Sequence, residues 1–215
     1  MDPVLMAVLA NRFDAINREM TNTLLRTARS SVLAVVRDFS CSICTGDNRL
    51  LTPGEGVPVH IFGAAMQSKT MCDLHQNISP GDAFLHNDPY LGNTHAADHM
   101  ILVPVFFEGA HLFTTCAKAH QADCGNSIPS TYYAHARDVY EEGSLIFPCV
   151  RVQKDYEDVD DIIRMCRRRI RVPDQWYGDY LAQIGSARIG ERRLVELAER
   201  YGSETIHEFI EAWFE

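Results

Sequence analysis

The stretch Met100–Ala119 (MILVPVFFEGAHLFTTCAKA) is the part of the sequence that decides the fold. Its first half, Met100–Phe107, is a strongly apolar run, which is typical of a buried strand. Glu108 and Gly109 form a turn, and His111–Ala119 returns as a second strand. The stretch therefore predicts an antiparallel hairpin, and the segments on either side of it are expected at strand ends.

The two segments that flank this hairpin combine imidazoles and carboxylates with residues that form loops. Asn87–Asp98 (NDPYLGNTHAAD) precedes the hairpin, and Ala119–Asn126 (AHQADCGN) follows it. Loops made of Gly, Asn and Pro bury little apolar surface, so His and Asp concentrated on them favour binding or catalysis over packing. We interpret these segments as one part of an active site.

Three side chains in these segments are predicted to converge on a divalent metal. His95 and Asp98 are three residues apart, and the pairing of the two strands brings His120 close to Asp98, because antiparallel neighbours lie about 5 Å apart. Imidazole and carboxylate ligands suit Zn, Mn or Fe(II). Asp38, just before another strand, is a plausible fourth ligand, although its convergence depends on an unknown sheet order. The alternative is that both histidines are hydrogen-bonded loop residues.

Three further residues are candidate catalytic groups, namely His60, Asp123 and Cys124. His60 follows Val57-Pro58-Val59 and either lines the same pocket or makes a structural hydrogen bond. Cys124 is a possible nucleophile near the metal, or a small packed loop residue. Asp123 lies beside it in the loop after His120. His86 and His99 are competing ligands in principle, but they are expected to face away. Cys41 and Cys44 have the spacing of a zinc or redox pair, but they fall on opposite faces of a strand and are interpreted as buried structural cysteines.

The rest of the chain predicts an α+β fold with a mixed or antiparallel sheet, an N-terminal helix and a C-terminal helical region. Residues 1–153 are expected to form the metal-site α+β domain, and residues 154–215 a helical region that serves as an interface. The predicted elements before the C-terminal region are a helix from Asp2-Pro3 to near Ser30, a strand at Phe39–Thr45, a loop with short extended pieces at Leu50–Ile61, a helix at Ala64–His75, a short strand at Ala83–Asn87 and an extended piece at Pro148–Gln153.

The C-terminal region carries apolar stripes at helical spacing. A long helix is expected to begin at Pro173 and stop at Gly202, and Ser203 is expected to cap the last helix. No residue after Glu215 is present to cover the last stripe, which favours a protein partner; the alternative is that the stripe folds back on the chain's own sheet. The residues of these stripes are Trp176, Tyr180, Phe209, Ile210 and Trp213.

Composition excludes some classes of function and favours others. The chain has 215 residues, of which 46% are hydrophobic, and a formal net charge of −9, which argues against a nucleic-acid partner. No apolar run approaches the roughly 18 residues of a membrane span. Seven cysteines without small-scaffold spacing, and an N-terminus unlike a signal peptide, predict a cytoplasmic protein. Neither GxxxxGK[ST] nor GxGxxG occurs, so no local nucleotide-binding motif is present.

At the polar segments the chain resembles the hydantoinase B family. This family includes the C-terminal half of ATP-dependent 5-oxoprolinase, subunits of N-methylhydantoinase and caprolactamase, and the metal-bearing subunits of acetone and acetophenone carboxylases. The pieces that match occur in family order: Arg37-Asp38-Phe39-Ser40-Cys41, Val57-Pro58-Val59-His60, Gly81-Asp82, Asn87-Asp88-Pro89-Tyr90-Leu91-Gly92, Thr94-His95, Asp98, His120-Gln121-Ala122-Asp123 and Glu141-Glu142-Gly143. Asn93 in place of a usual Gly, and Cys124-Gly125-Asn126 in place of an Ile-Gly-Gly-like run, look closer to the ketone-carboxylase branch.

The resemblance implies a catalytic role within a complex. The family's metal ligands map onto His95, Asp98 and His120, with Asp38 as a further ligand. Family members are much longer, so the chain is expected to be a fragment or one piece of a split subunit, and a hydantoinase A-type partner is expected to bind ATP. The implied activity is carboxylation of a ketone. The alternatives are ATP-dependent hydrolysis of a cyclic amide, an assembly subunit with a structural metal and, more weakly, a metallophosphatase.

Overall fold

The computed structural model describes the backbone of residues 1–215 and every side chain except that of residue 55. The helices are α1 (Pro3–Thr27), α2 (Pro58–Phe62), α3 (Ala64–Leu74), α4 (Val139–Glu142), α5 (Asp160–Arg169), α6 (Pro173–Tyr201) and α7 (Ser203–Phe214). The strands are β1 (Phe39–Thr45), β2 (Leu50–Gly56), β3 (Ala83–His86), β4 (Asp98–Phe107), β5 (Ala110–His120), β6 (Val150–Lys154) and β7 (Glu157–Asp158). A π-helical turn covers Val32–Val36, and a 3-10 turn covers Pro89–Leu91.

The strands form one seven-stranded sheet in the order β2-β1-β5-β4-β3-β6-β7. Every neighbouring pair is antiparallel, and the hairpin β4–β5 occupies the centre. The predicted α+β class and the predicted hairpin are therefore confirmed. The hairpin extends further than expected at its open end, because Asp98 pairs with His120. These two candidate ligands consequently face each other across adjacent strands.

The two faces of the sheet are covered by different helices. On one face, α1 and α6 pack against side chains such as Cys41 and Ile43 of β1. On the other face, Cys44 belongs to a smaller cluster that includes Ala64 and Met71 of α3. This alternation confirms that Cys41 and Cys44 point to opposite faces. Burial raises the pKa of the Cys41 thiol to about 11, which fits a structural cysteine.

Two local predictions are wrong in detail. The predicted loop at Leu50–Ile61 contains the edge strand β2, which pairs with β1 through irregular register, and then the helix α2. Pro58 stands in the first turn of α2, where its missing N–H needs no partner. Ser203 does not cap α7; Gly202, at a φ of 80°, is the N-cap, and the Ser203 hydroxyl contacts Glu108 instead.

The C-terminal helices fold back onto the same core. Trp176 and Tyr180 of α6 and Phe209 and Ile210 of α7 are buried, and the Phe209 ring stacks on Phe13 of α1 at 5.1 Å between centroids. The chain itself covers these side chains, so the expectation that they need a partner is corrected, whereas Trp213 remains 44% exposed. The division at residue 153 and an interface role for these helices stay predictions. None of the described helices is long and apolar enough to cross a membrane.

Candidate metal centre

The candidate site lies where β4 begins and β5 ends. Asp98 and His120 face each other there, and the Oδ1 atom of Asp98 lies 2.7 Å from Nδ1 of His120. His95 stands on the loop before β4, with its ring centroid 5.6 Å from that of His120. One ligand atom from each of these three residues lies within 4.8 Å of the other two. The structure therefore brings together the three side chains that the sequence predicted.

The hydrogen bonds of the two histidines fit metal ligation. The hydroxyl of Thr131 donates to the carbonyl of Gln121 at 2.7 Å, so it accepts from Nε2 of His120 at 2.6 Å. Glu142 accepts from Nε2 of His95 at 2.9 Å. Both rings therefore carry a hydrogen on Nε2, which leaves Nδ1 as the nitrogen that can bind a metal. In His120 that nitrogen contacts Asp98 in this structure, and a bound metal would take the place of its hydrogen. Metal-bound histidines commonly donate their other N–H to such a partner.

The spacing of the donor atoms also fits a metal. Ligands about 2.1 Å from a divalent ion lie at most about 4.2 Å apart. One ligand atom from each of the three residues lies within 4.8 Å of the others, and Nδ1 of His120 lies 2.7 Å from Oδ1 of Asp98. Two imidazoles and one carboxylate form a donor set that Zn, Mn or Fe(II) accepts. The residues present thus fit the metal that the sequence predicted.

Asp38 and His60 lie next to this triad. Nε2 of His60 is 3.4 Å from Oδ1 of Asp38 and 3.4 Å from Oδ2 of Asp98. Oδ2 of Asp38 lies 3.9 Å from Nδ1 of His120. Asp38 is brought there because β1 pairs with β5, and the backbone N–H of His120 donates to the carbonyl of Asp38 at 3.0 Å. The structure thus places both residues at the site, His60 on the buried side and Asp38 partly exposed.

The charges at the site are strongly coupled. Burial opposes ionisation of Asp98, but hydrogen bonds from His120, His60 and Thr94, together with the charge of His60, outweigh it and lower the pKa of Asp98 well below its usual range. Burial also opposes protonation of His120, but the hydrogen bond and charge of Asp98, with the charges of Asp38 and Glu142, raise the pKa of His120. Asp98 is consequently ionised at neutral pH and available to a cation.

Amide and hydroxyl side chains hold the loop that carries His95. The Asn93 amide donates to the carbonyls of Asn87 (2.9 Å) and Asp98 (3.1 Å), and Thr94 donates to Oδ2 of Asp98 at 2.7 Å. The amide of Asn87 donates to Ala96 at 2.6 Å. These bonds fix the polar loop without an apolar core of its own, as the composition of the segment indicated.

Two residues at the site were missed by sequence reasoning. Glu142, next to His95, was quoted within the motif Glu141-Glu142-Gly143 without a role, and the motif was its only signal. No sequence feature identified Thr131, next to His120, as a site residue, because a single Thr in an irregular loop is common. Both residues belong to the connection between β5 and β6. The path of this connection depends on contacts between residues far apart in the sequence.

Two predicted catalytic residues point elsewhere. The carboxylate of Asp123 binds Arg171, with a bond of 2.6 Å from the backbone N–H and one of 2.8 Å from the guanidinium. The Cys124 thiol is fully buried and donates to Asn126 at 2.8 Å. Burial raises the pKa of Cys124 to about 12, which disfavours the thiolate that a nucleophile requires. The structure thus favours the alternative for Cys124, a packed loop residue.

The two competing histidines stay outside the triad, as expected. Nε2 of His86 lies 3.0 Å from the carbonyl of Leu91. His99 is buried against Phe147 and Trp176, and burial lowers the pKa of His99 to about 3.

Comparisons with known proteins identify the family of the chain and two solved structures that are similar to it. The sequence model of the family described as Hydantoinase B/oxoprolinase matches residues 2–215. The chain is 32% identical over 211 residues to the beta subunit of caprolactamase from Pseudomonas jessenii, a match that covers 98% of this chain and 36% of that protein. It is 26% identical to the 5-oxoprolinase of Dictyostelium discoideum, covering 98% of this chain and 17% of that protein. The chain therefore spans only a minor part of these relatives.

Two solved structures have the same fold. The ATP-dependent caprolactamase from Pseudomonas jessenii superposes with a TM-score of 0.92 at 31% identity, covering 99% of this chain and 37% of that chain. A nucleotide-free acetone carboxylase superposes with a TM-score of 0.91 at 20% identity, covering 97% of this chain and 28% of that chain. The second likeness concerns the fold alone.

Proposed function

The chain belongs to the Hydantoinase B/oxoprolinase family, as its motifs predicted, and from this premise we propose that it carries the metal centre of an ATP-dependent enzyme complex that acts on the carbonyl group of a small molecule. The observation that carries the proposal is the convergence of His95, Asp98 and His120 at the open end of the central hairpin. The proposed ligands are these three residues and Asp38. The metal is one divalent ion: Mn, Zn or Fe.

The remaining polar groups at the site orient the metal ligands. Glu142 and Thr131 fix the orientation of His95 and His120, and Thr94 and His60 hold the second oxygen of Asp98. A bound divalent ion would polarise a carbonyl oxygen or a water molecule. His60 stands beside both carboxylates, where its imidazole can hold or pass a proton at Nε2.

Two versions of this activity have support. The relatives named caprolactamase, 5-oxoprolinase and hydantoinase favour ATP-dependent hydrolysis of a cyclic amide. The ketone-carboxylase version is supported by the substitutions at Asn93 and Cys124–Asn126 and by the shared fold with acetone carboxylase. In both versions the polarised group is a carbonyl, so one site suits either. A third version, a structural metal in an assembly subunit, predicts a filled shell of four protein ligands without a bound water molecule.

The proposal includes partners. One relative is named as the beta subunit of caprolactamase and another as one of the subunits of a D-/L-hydantoinase, so these enzymes have more than one kind of subunit. We propose a hydantoinase A-type subunit as the partner that binds ATP. The rest of the hydantoinase B-type subunit is proposed to complete the pocket, because the chain spans 36% of its caprolactamase relative. A cytoplasmic location stays part of the proposal.

The test is elemental analysis of the purified complex, combined with His120→Ala. We expect one divalent metal per complex protomer and its loss in the variant, with the far-ultraviolet circular dichroism unchanged, because His120 lies at a strand end. His207→Ala is the matched control, since His207 is exposed on α7. Equal metal content in both variants would reject the site.

A substrate assay separates the versions of the activity. ATP-dependent release of an amino acid from ε-caprolactam or 5-oxoproline supports hydrolysis. ATP-dependent incorporation of labelled bicarbonate into acetone or acetophenone supports carboxylation. Either activity should disappear on metal chelation and return on metal addition; activity that persists without metal would contradict a catalytic metal.

A further inference from the structure

A cavity of about 830 Å³, which we call the α6 groove, runs along one side of α6. Its floor includes Phe106, near the end of β4, whereas the metal centre lies where β4 begins, about 25 Å away along the strand. We propose that the α6 groove binds an amphipathic helix from the part of the hydantoinase B-type subunit that lies outside these 215 residues. This inference rests on the partners named in the proposed function, but not on the metal chemistry.

The α6 groove has the form that one face of a helix requires. Its wall on α6 consists of residues spaced three or four apart, which places them on one side of that helix. These residues are Gly185, Ile189, Arg192, Glu196 and Glu199. The wall is therefore about 21 Å long, or about four helical turns. The opposite wall is the edge of the sheet at Gln153 and Tyr156. A helix that lies in such a groove is a common mode of protein recognition.

The floor of the groove is apolar and continuous with the core. Ile184 is 7% exposed and belongs to the main hydrophobic core. Phe106, Ile189 and Val195 line the groove and are only half-buried. Apolar side chains that are gathered in a groove and left open to water are typical of a surface that another chain covers. Trp213, the exposed residue of the predicted stripes, does not line the groove, so the two surfaces are separate.

Gly185 indicates close contact with another backbone. A glycine inside a helix is destabilising relative to alanine, so its presence needs a reason in the packing. A Cβ atom at Gly190 would meet Met20 of α1, and one at Gly178 would meet Arg29, so contacts within the chain explain these two glycines of α6. A Cβ atom at Gly185 would meet no described atom within 4 Å. The small residue therefore leaves room on the groove wall for a neighbour from outside the chain.

The charges on the groove wall favour a helix that carries a basic residue. Arg188 is occupied within the chain, because its guanidinium binds Glu191 at 2.9 Å. Arg192 lies 3.9 Å from Glu196. Glu199, at the end of the wall, is exposed and forms no ion pair with the described side chains. A lysine or arginine of the bound helix can pair with Glu199 and fix the direction in which the helix lies.

The relatives indicate which chain supplies the helix. The chain matches 36% of the caprolactamase beta subunit, and it covers 37% of the chain of the solved caprolactamase with a TM-score of 0.92. The same fold therefore occurs there within a longer chain, whose larger part is available to pack against it. A continuous apolar groove is also typical of permanent contacts, which are more hydrophobic than transient ones. Both arguments favour the rest of the B-type subunit as the occupant of the groove.

The first test replaces Gly185 in the full complex and in the 215-residue chain. Gly185→Leu fills the groove with a side chain that meets nothing in the chain itself, and it replaces glycine by a better helix former. We expect the melting temperature of the isolated chain to stay unchanged or to rise by a few degrees, whereas that of the complex should fall by several degrees. Glu204→Leu is the matched control, because it adds the same side chain at an exposed position of α7 and should lower neither temperature.

The second test labels the groove with hydroxyl radicals and measures the labelling by mass spectrometry. Tyr156 is 58% exposed and lines the groove, so its labelling reports whether the groove is covered. We expect Tyr156 to lose most of its labelling when the rest of the B-type subunit is present, and to keep it when only the hydantoinase A-type subunit is added. The Gly185→Leu complex should recover the labelling.

The outcomes separate this inference from the proposed function. Equal labelling of Tyr156 in the isolated chain and in the complex, or a Gly185→Leu complex that melts as the Glu204→Leu complex does, overturns the docking surface. Protection by the A-type subunit alone, or protection that increases with the concentration of the isolated chain, means another occupant and also overturns the proposal. A lower melting temperature of the isolated Gly185→Leu chain contradicts the packing argument. A complex that protects Tyr156 but binds no metal rejects the proposed function and leaves the α6 groove standing.

Discussion

At the scale of single residues, Asp98 determines the electrostatics of the site. One of its oxygens faces His120, and the other accepts from Thr94 and faces His60. Without a metal, a protonated His120 compensates the buried carboxylate. With a metal, the ion takes that role and His120 must be neutral at Nδ1. The proton and the metal therefore compete for the same pair of side chains.

This competition predicts opposite pH dependences for the two states. Because the pKa of His120 is raised in the folded protein, the stability that it contributes is present below its ordinary value of 6.5 and is lost as pH rises through the higher folded value. The stabilisation that His120 gives the metal-free protein, measured as the difference in melting temperature from His120→Ala, should consequently shrink as pH rises from about 6 to about 9, whereas metal affinity should increase. Thermal unfolding in EDTA and in Zn²⁺ across this range measures both. A metal-free profile that His120→Ala does not alter would contradict the prediction.

Thr131 offers a second test at the residue scale. Thr131→Val removes the acceptor for Nε2 of His120 but keeps the shape of the side chain. We expect metal affinity to fall about tenfold, as is typical when the partner of a ligating histidine is lost. Thr131→Ser keeps the hydroxyl and should bind metal as the unmodified protein does. Competition with a chromophoric chelator gives the affinities, and equal values for Val and Ser would mean that the bond does not support the ligand.

At the scale of secondary-structure elements, the predictable part of the site is the part joined by one hairpin. Asp98 and His120 are paired because a two-residue turn connects their strands, and sequence pattern alone predicted this pairing. Asp38 depends on β1 lying beside β5, a contact that local pattern does not specify. The position of His60 was harder still to predict. Its segment, Leu50–Ile61, was expected to be a loop with short extended pieces, but it contains the strand β2 and the short helix α2. Short elements in Gly/Pro-rich segments gain their stability from neighbours rather than from propensity.

The connection between α5 and α6 supports the loop after β5. Arg171 binds the carboxylate of Asp123 and the carbonyl of Asn126, which holds the chain just beyond His120. Arg171→Ala would leave the buried carboxylate short of a partner, at a cost of about 1–2 kcal/mol in the free energy of unfolding. We expect a melting temperature lower by a few degrees and faster hydrogen exchange at residues 121–127. Arg168→Ala, at an exposed position on α5, is the control, and equal exchange in the two variants would mean that the loop is held by other contacts.

At the scale of the whole molecule, the sequence predicted the fold class. It did not predict which residues bury the apolar faces of the C-terminal helices. Alternation and helical spacing indicate which faces are apolar, but they do not say what covers them. The core is continuous from α1 through the sheet to α7, so Phe209 and Ile210 meet Phe13 and its neighbours instead of another protein. Trp213 and Phe214 stay partly exposed at the end of α7, and they are the residues on which the interface prediction now depends.

The whole-molecule prediction concerns ATP. The 215-residue chain should bind a divalent metal but neither bind nor hydrolyse ATP. The sequence has no phosphate-binding glycine loop, and the net charge of −9 opposes a polyphosphate. Calorimetric titration with Mg-ATP should show no heat of binding. Titration of the same sample with Zn²⁺ or Mn²⁺ should show binding, and this binding serves as the control that the sample is folded. His120→Ala should abolish the metal binding. ATP hydrolysis should appear only when a hydantoinase A-type subunit is added, and it should depend on the substrate. Tight ATP binding by the isolated chain would contradict the division of labour on which the proposed function rests.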